Sequence, residues 1–182
     1  MQVLNRTLLN LYGYVQNNPV NFNDPSGLIE GSEANLARRQ LIDAISRGYN
    51  GSHAFDYNTS YNSQYPKDSY KCSGFVGVVV QEAGAPISVI PAGSNNGRYA
   101  TAGELANQNW DPNNWRQLEP GESPEPGDIF AYKLTPQPGE IYTGHTGIIS
   151  NNGQSVEAHS DGVSIDPYSD LPGTLYRRYI GE

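Results

Sequence analysis

The chain has 182 residues, a length that suits one globular domain with a short extension. Its formal net charge is −8, with 11 Lys and Arg against 19 Asp and Glu, so we expect no nucleic-acid partner, because phosphate binding needs clustered basic residues. No stretch approaches the roughly 20 apolar residues of a membrane span, and the N-terminus lacks the basic-then-apolar profile of a signal peptide.

The first 28 residues differ from the rest of the chain. Two X-Pro steps and a Pro-Ser-Gly turn exclude a continuing helix and predict extended chain broken by tight turns. Residues 9–28 resemble the end of the Rhs repeat core, whose consensus runs close to NLYxYVxNNPVNxxDPSGL. This resemblance implies that residues 1–28 close an Rhs shell, with a cleavage site after Leu28, and that residues 29–182 form a toxin domain.

A first helix is predicted over residues 32–48, with Ser32 as its N-cap and Gly48 near its C-terminal end. One stripe of this helix is apolar and would pack on a core. It consists of Ala34, Ala37, Leu41, Ala44 and Ile45. Residues 49–71 are rich in Tyr, Asn and Ser without apolar periodicity, which predicts a surface loop able to wall a cleft.

A second helical candidate begins at Cys72 and runs to about Ala83, before a Gly and a Pro that favour its end. Its Val-rich run suits a strand equally well by propensity. Thr101 and Glu104 have the spacing of a capping box, which predicts a short helix over residues 101–107.

From Gly127 onward the pattern becomes that of β-structure, after a region up to Pro126 that is loop-like. The predicted strands cover residues 128–132, 143–150, 155–159, 162–165 and 175–180. Helices followed by an antiparallel sheet are the order of an α+β domain.

Cys72 is the single cysteine, which excludes an internal disulfide and a thiolate zinc cluster. A lone cysteine is commonly a small buried apolar residue. At the start of a helix, however, unpaired N–H groups and the positive end of the dipole stabilise a thiolate, and the same N–H groups can hold an oxyanion. Such a nucleophile also needs a base, and imidazole is the usual one.

The chain has three histidines, of which His145 lies in a predicted strand among small residues. The run Asn-Asn-Gly at 151–153, either alone or together with Gln154, suits a tight hairpin. If that loop has three residues, His145 falls opposite His159 with Glu157 diagonal to it, all on one face, and apolar residues fill the other face. A shift of one residue would separate His145 from both.

Three landmarks resemble the NlpC/CHAP group of papain-like cell-wall hydrolases, whose patterns are DCSGFV, PGDL and HVGIYxGNG followed by IHA. Here they read KCSGFV at residues 71–76, PGDIF at 126–130, and HTGII at 145–149 followed by VEAH at 156–159. The resemblance implies a papain-like α+β fold in which Cys72 opens a buried helix. It also implies Cys72 as the nucleophile, His145 as the base and a third polar residue that orients the imidazole.

The sequence departs from this pattern in two places. Lys71 replaces the usual acid before the cysteine. One alternative is that its charge favours the thiolate over the thiol; we expect instead that its side chain points to solvent, since Lys is rarely buried. For the third residue we take His159 as a neutral orienter and Glu157 as the carboxylate alternative, the other one binding substrate. Asp161 is the next candidate if neither serves.

Two further groups of residues carry weaker signals. His53 lies in the polar loop, where a surface position is expected. The tyrosines at 57, 61, 65 and 70 suit ordinary loop packing. Tyr61 is nearest to the spacing at which the NlpC/CHAP group places a tyrosine by the oxyanion hole, but the sequence does not assign it.

Together the two resemblances imply an antibacterial effector that cleaves amide or peptide bonds of peptidoglycan stem peptides through a thioester, with no metal or cofactor. They further imply an Rhs shell and a secretion machine that deliver it to the periplasm of a target cell, and a cognate immunity protein. The alternative is a papain-like protease, deamidase or acyltransferase toxin acting on a cytosolic protein. A non-enzymatic wall- or partner-binding module is the third possibility.

Overall fold

The computed structural model describes residues 28–89, 98–110, 112–135 and 144–181. The Rhs-like segment up to residue 27 lies outside the described residues, so the division into residues 1–28 and 29–182 stays a prediction. The described helices are α1 (Leu28–Gly48), α2 (Cys72–Glu82) and α3 (Ala102–Leu105). The described strands are β1 (Ser88–Val89), β2 (Arg98–Tyr99), β3 (Trp115–Gln117), β4 (Ile129–Lys133), β5 (Gly144–Ser150), β6 (Gln154–His159), β7 (Gly162–Pro167) and β8 (Leu175–Tyr179).

Six of the described strands form one antiparallel sheet in the order β3-β8-β4-β5-β6-β7. The short strands β1 and β2 pair with each other. Helix α2 packs against β5 and β6, and α1 packs against α2 and β5. The predicted α+β architecture, with helices on an antiparallel sheet, is therefore confirmed.

Helix α2 is the centre of the core. Every residue from Cys72 to Val80 is buried, and Phe75 and Val79 have no exposed surface. They face sheet residues such as Ile148, which is equally buried. Burying one large apolar side chain contributes about 1.5–3 kcal/mol, so burial on all sides outweighs the strand preference of the Val-rich run.

Helix α1 corrects the prediction for its start and its buried face. It begins at Leu28 rather than at Ser32, and the expected apolar stripe is mostly exposed, with Leu41 43% exposed. The buried face instead carries Ile42, Asp43 and Ser46. The predicted buried face was wrong because burying an alanine side chain contributes little free energy. Asp43, in contrast, accepts hydrogen bonds from side chains at the β5–β6 turn, which favours burial of its own face.

The region before Pro126 contains a strand that the sequence did not reveal. Trp115 in β3 is 1% exposed, pairs opposite Tyr179 and donates its indole N–H to the Ala85 carbonyl at 3.2 Å. The predicted capping box is confirmed, because Thr101 and Glu104 bond each other's backbone N–H at the start of α3. Isolated three-residue strands carry too little periodicity to be recognised.

The Pro-Gly-Asp landmark is a structural turn into β4. Gly127 has φ +88°, and a Cβ at this position would lie 2.1 Å from the Arg39 carbonyl oxygen, so no other residue fits. Asp128 is fully buried and accepts hydrogen bonds from the Arg178 guanidinium, which ties β4 to β8. The landmark thus supports the sheet and does not supply chemistry.

None of the described helices is long and apolar enough to cross a membrane.

Candidate active site

Cys72 is the first residue of α2, and its side chain is 6% exposed. The helical ladder begins with the bond from the Phe75 N–H to the Lys71 carbonyl at 2.8 Å. The N–H groups of Cys72 and Ser73 precede that ladder and therefore have no acceptor within the helix. They direct the positive end of the helix dipole towards the thiol.

The packing of α2 on β5 brings His145 to this thiol. The two side chains are within hydrogen-bonding reach of each other. On its other side the His145 ring engages Glu157, whose Oε2 lies 2.7 Å from Nε2. Because Nε2 is occupied in this way, Nδ1 is the ring nitrogen left for Cys72. The three side chains form a line from nucleophile to carboxylate.

The β5–β6 hairpin has the predicted register. Ser150 pairs with Gln154 and Gly147 with Glu157, across a three-residue turn in which Asn152 has φ +60°. Continuing this register sets His145 opposite His159, and their rings stack with centroids 5.7 Å apart. Period-2 alternation therefore placed both imidazoles and the carboxylate on one face.

Gly147 lets Glu157 reach across the hairpin. A Cβ on Gly147 would lie 2.9 Å from Cγ of Glu157 and 2.8 Å from the Val156 carbonyl oxygen. Real Cβ atoms do not come that close to backbone, so the position accepts only glycine without movement of β6. The missing side chain opens the path along which the carboxylate approaches the imidazole.

His145 is held as an imidazolium between two acidic groups. Burial alone lowers the pKa of His145, but the hydrogen bonds to Cys72 and Glu157 outweigh it and raise the pKa to about 10. For Glu157, burial favours the neutral acid, yet the hydrogen bonds from His145 and Ser155 prevail and lower its pKa. At neutral pH the ring therefore carries a proton that it can deliver.

His159 stacks on His145 but does not hydrogen-bond it. Its Nε2 lies 3.3 Å from Oδ2 of Asp166 and 3.8 Å from Oε2 of Glu157, and its side chain is 40% exposed. This geometry does not favour His159, the candidate preferred from the sequence, as the residue that orients His145. It favours the alternative, Glu157. A charged acceptor binds the imidazole N–H more strongly than a neutral ring nitrogen, which explains the choice.

Lys71 does not point to solvent, so that expectation was wrong. Its side chain is 2% exposed, and Nζ donates to the carbonyl oxygens of Asp56 and Ser69 at 2.8 Å and of Tyr57 at 3.4 Å. Burial lowers the pKa of Lys71, against the opposing effect of nearby carboxylates. The ammonium ties the 56–71 loop to the start of α2, and this satisfies its donors without water.

Of the four loop tyrosines, Tyr65 lies at the nucleophile. Its hydroxyl is 3.2 Å from Oγ of Ser73, its ring covers Gly74, and burial raises its pKa to about 12. Tyr61, which the family spacing suggested, is 38% exposed and packs on Phe55 instead. Tyr65 therefore keeps its proton and offers a hydrogen-bond donor beside the thiol.

A cleft of about 660 Å³ opens beside the carboxylate end of the site. Its lining includes Glu157, His159 and Asp161, together with residues of β7 and the loop after it. His53 also borders it and is 77% exposed at its side chain, as expected for a surface position. The titratable groups along this wall are carboxylates, imidazoles and two tyrosine phenols, with no lysine or arginine among the described residues that line it, so the cleft suits a neutral or cationic ligand.

Asp166 and Ser164 on β7 were missed by the sequence argument. Both lie on the face of Glu157 and His159, because β6 and β7 pair with Glu157 opposite Ser164. The Asp161-Gly162 dipeptide is a hairpin signal, but the observed two-residue loop is Ser160-Asp161, with His159 opposite Gly162.

The comparisons with known proteins bear on the fold. No family model matches the sequence, and no curated protein matches it. Among solved structures, the chain is similar to the peptidoglycan hydrolase RipB from Mycobacterium tuberculosis, with a TM-score of 0.51 and 19% sequence identity, over 90% of this chain and 75% of that one. At this identity the likeness establishes the fold, and it confirms the papain-like NlpC/CHAP fold expected from the sequence.

Proposed function

We propose that this chain is a cysteine amidohydrolase that cleaves amide or peptide bonds of peptidoglycan. The observation that carries the proposal is that His145 is hydrogen-bonded to Glu157 and lies close enough for Cys72, the first residue of a buried helix, to raise its pKa. The raised pKa of His145 and the lowered pKa of Glu157 place an imidazolium beside a carboxylate at neutral pH. The likeness in fold to a peptidoglycan hydrolase supports the substrate class.

The reaction begins with attack of the Cys72 thiolate on the carbonyl carbon of the substrate. The carbonyl electrons move to oxygen, and the N–H groups at the start of α2 lie where an oxyanion would need donors. When the intermediate collapses, the C–N bond breaks and the His145 imidazolium gives its proton to the leaving amine. A thioester and a free amine result.

Hydrolysis of the thioester restores the enzyme. Neutral His145 accepts a proton from water as the water oxygen attacks the thioester carbon. The C–S bond then breaks, and this releases a carboxylic acid and regenerates the thiolate beside the imidazolium. Glu157 accepts the Nε2–H bond throughout, so that the ring keeps its orientation and its charge is stabilised.

The decisive experiment compares hydrolysis of purified peptidoglycan by the wild type, Cys72→Ala and His145→Ala, with released muropeptides identified by mass spectrometry. Both variants should lose the covalent route, so their rates should be about 10⁴-fold lower than that of the wild type. Their melting temperatures should remain close to that of the wild type. The new termini identify the bond that is cleaved. Undiminished digestion by Cys72→Ala would contradict the assignment.

The biological setting that we propose is an Rhs effector active in the periplasm, with a cognate immunity protein that blocks the cleft. The support is the sequence of residues 9–28, which resembles the end of an Rhs core. Expression of residues 29–182 with and without an added periplasmic leader separates this setting from the alternative. Lysis only with the leader supports a wall substrate, whereas toxicity only in the cytosol would indicate a protease, deamidase or acyltransferase acting on a protein.

A further inference from the structure

Three potential metal ligands converge at the carboxylate end of the site. Nε2 of His145, a carboxylate oxygen of Glu157 and Nε2 of His159 lie within 4.8 Å of one another. The Glu157 oxygen is 2.7 Å from the first nitrogen and 3.8 Å from the second. The hydrolytic mechanism uses the contact between His145 and Glu157 but has no use for the second imidazole that closes the triangle.

The spacing of these atoms is close to that of a tetrahedral zinc site. Zn–N and Zn–O bonds of about 2.0–2.2 Å place neighbouring ligand atoms roughly 3.3–3.5 Å apart. To reach this spacing, the distance from the Glu157 oxygen to Nε2 of His145 would increase by about half an ångström, and its distance to Nε2 of His159 would decrease by about the same amount. Small side-chain rotations are enough for both changes. Two imidazoles and one carboxylate are also the donor types that zinc prefers when one position stays open.

The surroundings favour entry and retention of a cation. Glu157 and His159 line the open cleft, which gives an ion a route from solvent and leaves room for a water as the fourth ligand. Asp166, whose Oδ2 is 3.3 Å from Nε2 of His159, adds a second carboxylate beside the site. The Ser155 hydroxyl donates to the other oxygen of Glu157 and orients the carboxylate.

We propose that His145, Glu157 and His159 form a site for Zn²⁺, and that the bound ion reversibly inhibits hydrolysis. The inhibitory half rests on the proposed function, whereas the binding half does not. A metal on Nε2 of His145 displaces the proton directed at Glu157. The remaining ring proton then sits on Nδ1, so the imidazole has no free nitrogen to accept a proton from water.

The binding half is tested by isothermal titration of the full chain with ZnCl₂. We expect one ion per chain for the wild type and for Cys72→Ala, and a loss of affinity of about 100-fold or more in His159→Ala, since even outer-shell partners contribute 10–100-fold. His159→Gln is the second variant if His159→Ala melts early. His53→Ala, an exposed imidazole on the same cleft, is the matched control and should bind as the wild type does.

Co²⁺ in place of Zn²⁺ reports the ligands directly. Tetrahedral ligand-field bands without a thiolate-to-cobalt charge-transfer band would support the nitrogen and carboxylate site. Equal affinity of His159→Ala and the wild type would overturn the proposal, and so would a requirement for Cys72. Because Cys72→Ala is inert by design, its zinc affinity decides the binding question even if the chain fails to cleave peptidoglycan.

The inhibitory half is tested on peptidoglycan. ZnCl₂ should inhibit the wild type, a chelator should restore the rate, and the residual activity of His159→Ala should need about 100-fold more zinc for the same inhibition. Zinc that binds to the wild type without slowing hydrolysis would overturn the inhibitory half.

Discussion

The β5–β6 hairpin and the segment 49–71 both deliver residues to the same site, but they do so in different ways. In the hairpin, strand pairing alone places His145, Glu157 and His159 on one face. The segment 49–71 contains no described helix or strand, and its position depends on individual contacts with distant parts of the chain. The Lys71 ammonium binds three carbonyls, and the Tyr65 ring covers the start of α2.

The comparison shows which parts of a site follow from periodicity. A strand repeats every two residues, so one turn length sets the face of every side chain in the hairpin. An irregular loop has no such repeat, and each of its contacts depends on what the rest of the chain brings near. If the hairpin supplies the catalytic groups and the loop supplies stability, changes in the hairpin should lower kcat and changes in the loop should lower the free energy of unfolding.

The largest expected effect separates the two candidates for the third residue on the hairpin. Glu157→Gln should lower kcat by about 10³-fold, because the amide cannot stabilise the imidazolium or enforce its tautomer. His159→Ala should lower kcat by about tenfold at most, since its contact with His145 is ring stacking. Steady-state kinetics on a soluble muropeptide measures both. The reverse order would restore His159 as the orienter.

A smaller loss of activity is expected from Gly147→Ala, which alters the hairpin without replacing a titratable group. The added methyl meets Glu157 and the backbone of β6, so overpacking should cost about 1–3 kcal/mol. Displacement of the carboxylate should lower kcat by about 10–100-fold. Gly48→Ala is the control, because its Cβ meets nothing within 4 Å. Equal kcat values for Gly147→Ala and Gly48→Ala would mean that Glu157 can reach His145 even when residue 147 carries a side chain.

In the loop, Lys71→Met should act mainly on stability. Removing the ammonium leaves carbonyl oxygens without their donor, at a cost of about 1–3 kcal/mol in the free energy of unfolding. Chemical denaturation measures this cost. Lys67→Met, an exposed lysine of the same segment, should be neutral. A large fall in kcat with unchanged stability would instead make Lys71 part of the reaction.

The subtlest expected effect is on pH dependence. Burial lowers the pKa of His145, while Cys72 and Glu157 raise it to about 10, so the alkaline limb of kcat/KM should lie near that pH. The imidazolium is the proton donor and is lost as pH rises through this pKa. Glu157→Gln removes one of the two stabilising groups and should move the limb to lower pH. An unmoved limb in a pH–rate profile would show that the carboxylate does not set this pKa.

Local sequence sufficed where a repeat or a turn was involved. The three-residue turn at 151–153 and the capping box of Thr101 were predictable from spacing, whereas the helix that opens with Cys72 was predicted from the family resemblance. The order of helices before strands was predictable as well. The turn and the capping box depend on neighbours within a few residues, for which sequence distance and spatial distance coincide.

The tertiary structure alone decided the contacts that join distant parts of the chain. Local patterns gave the wrong answer for the buried Lys71 and for the exposed alanine stripe of α1. They did not indicate that Tyr65 lies beside the start of α2. That His145 hydrogen-bonds Glu157 and not His159 needed side-chain geometry, since both share a face and their carboxylate and imidazole are separated by less than 4 Å. Hydrogen bonds and burial between distant segments have no local signature, because they form only when folding brings those segments together.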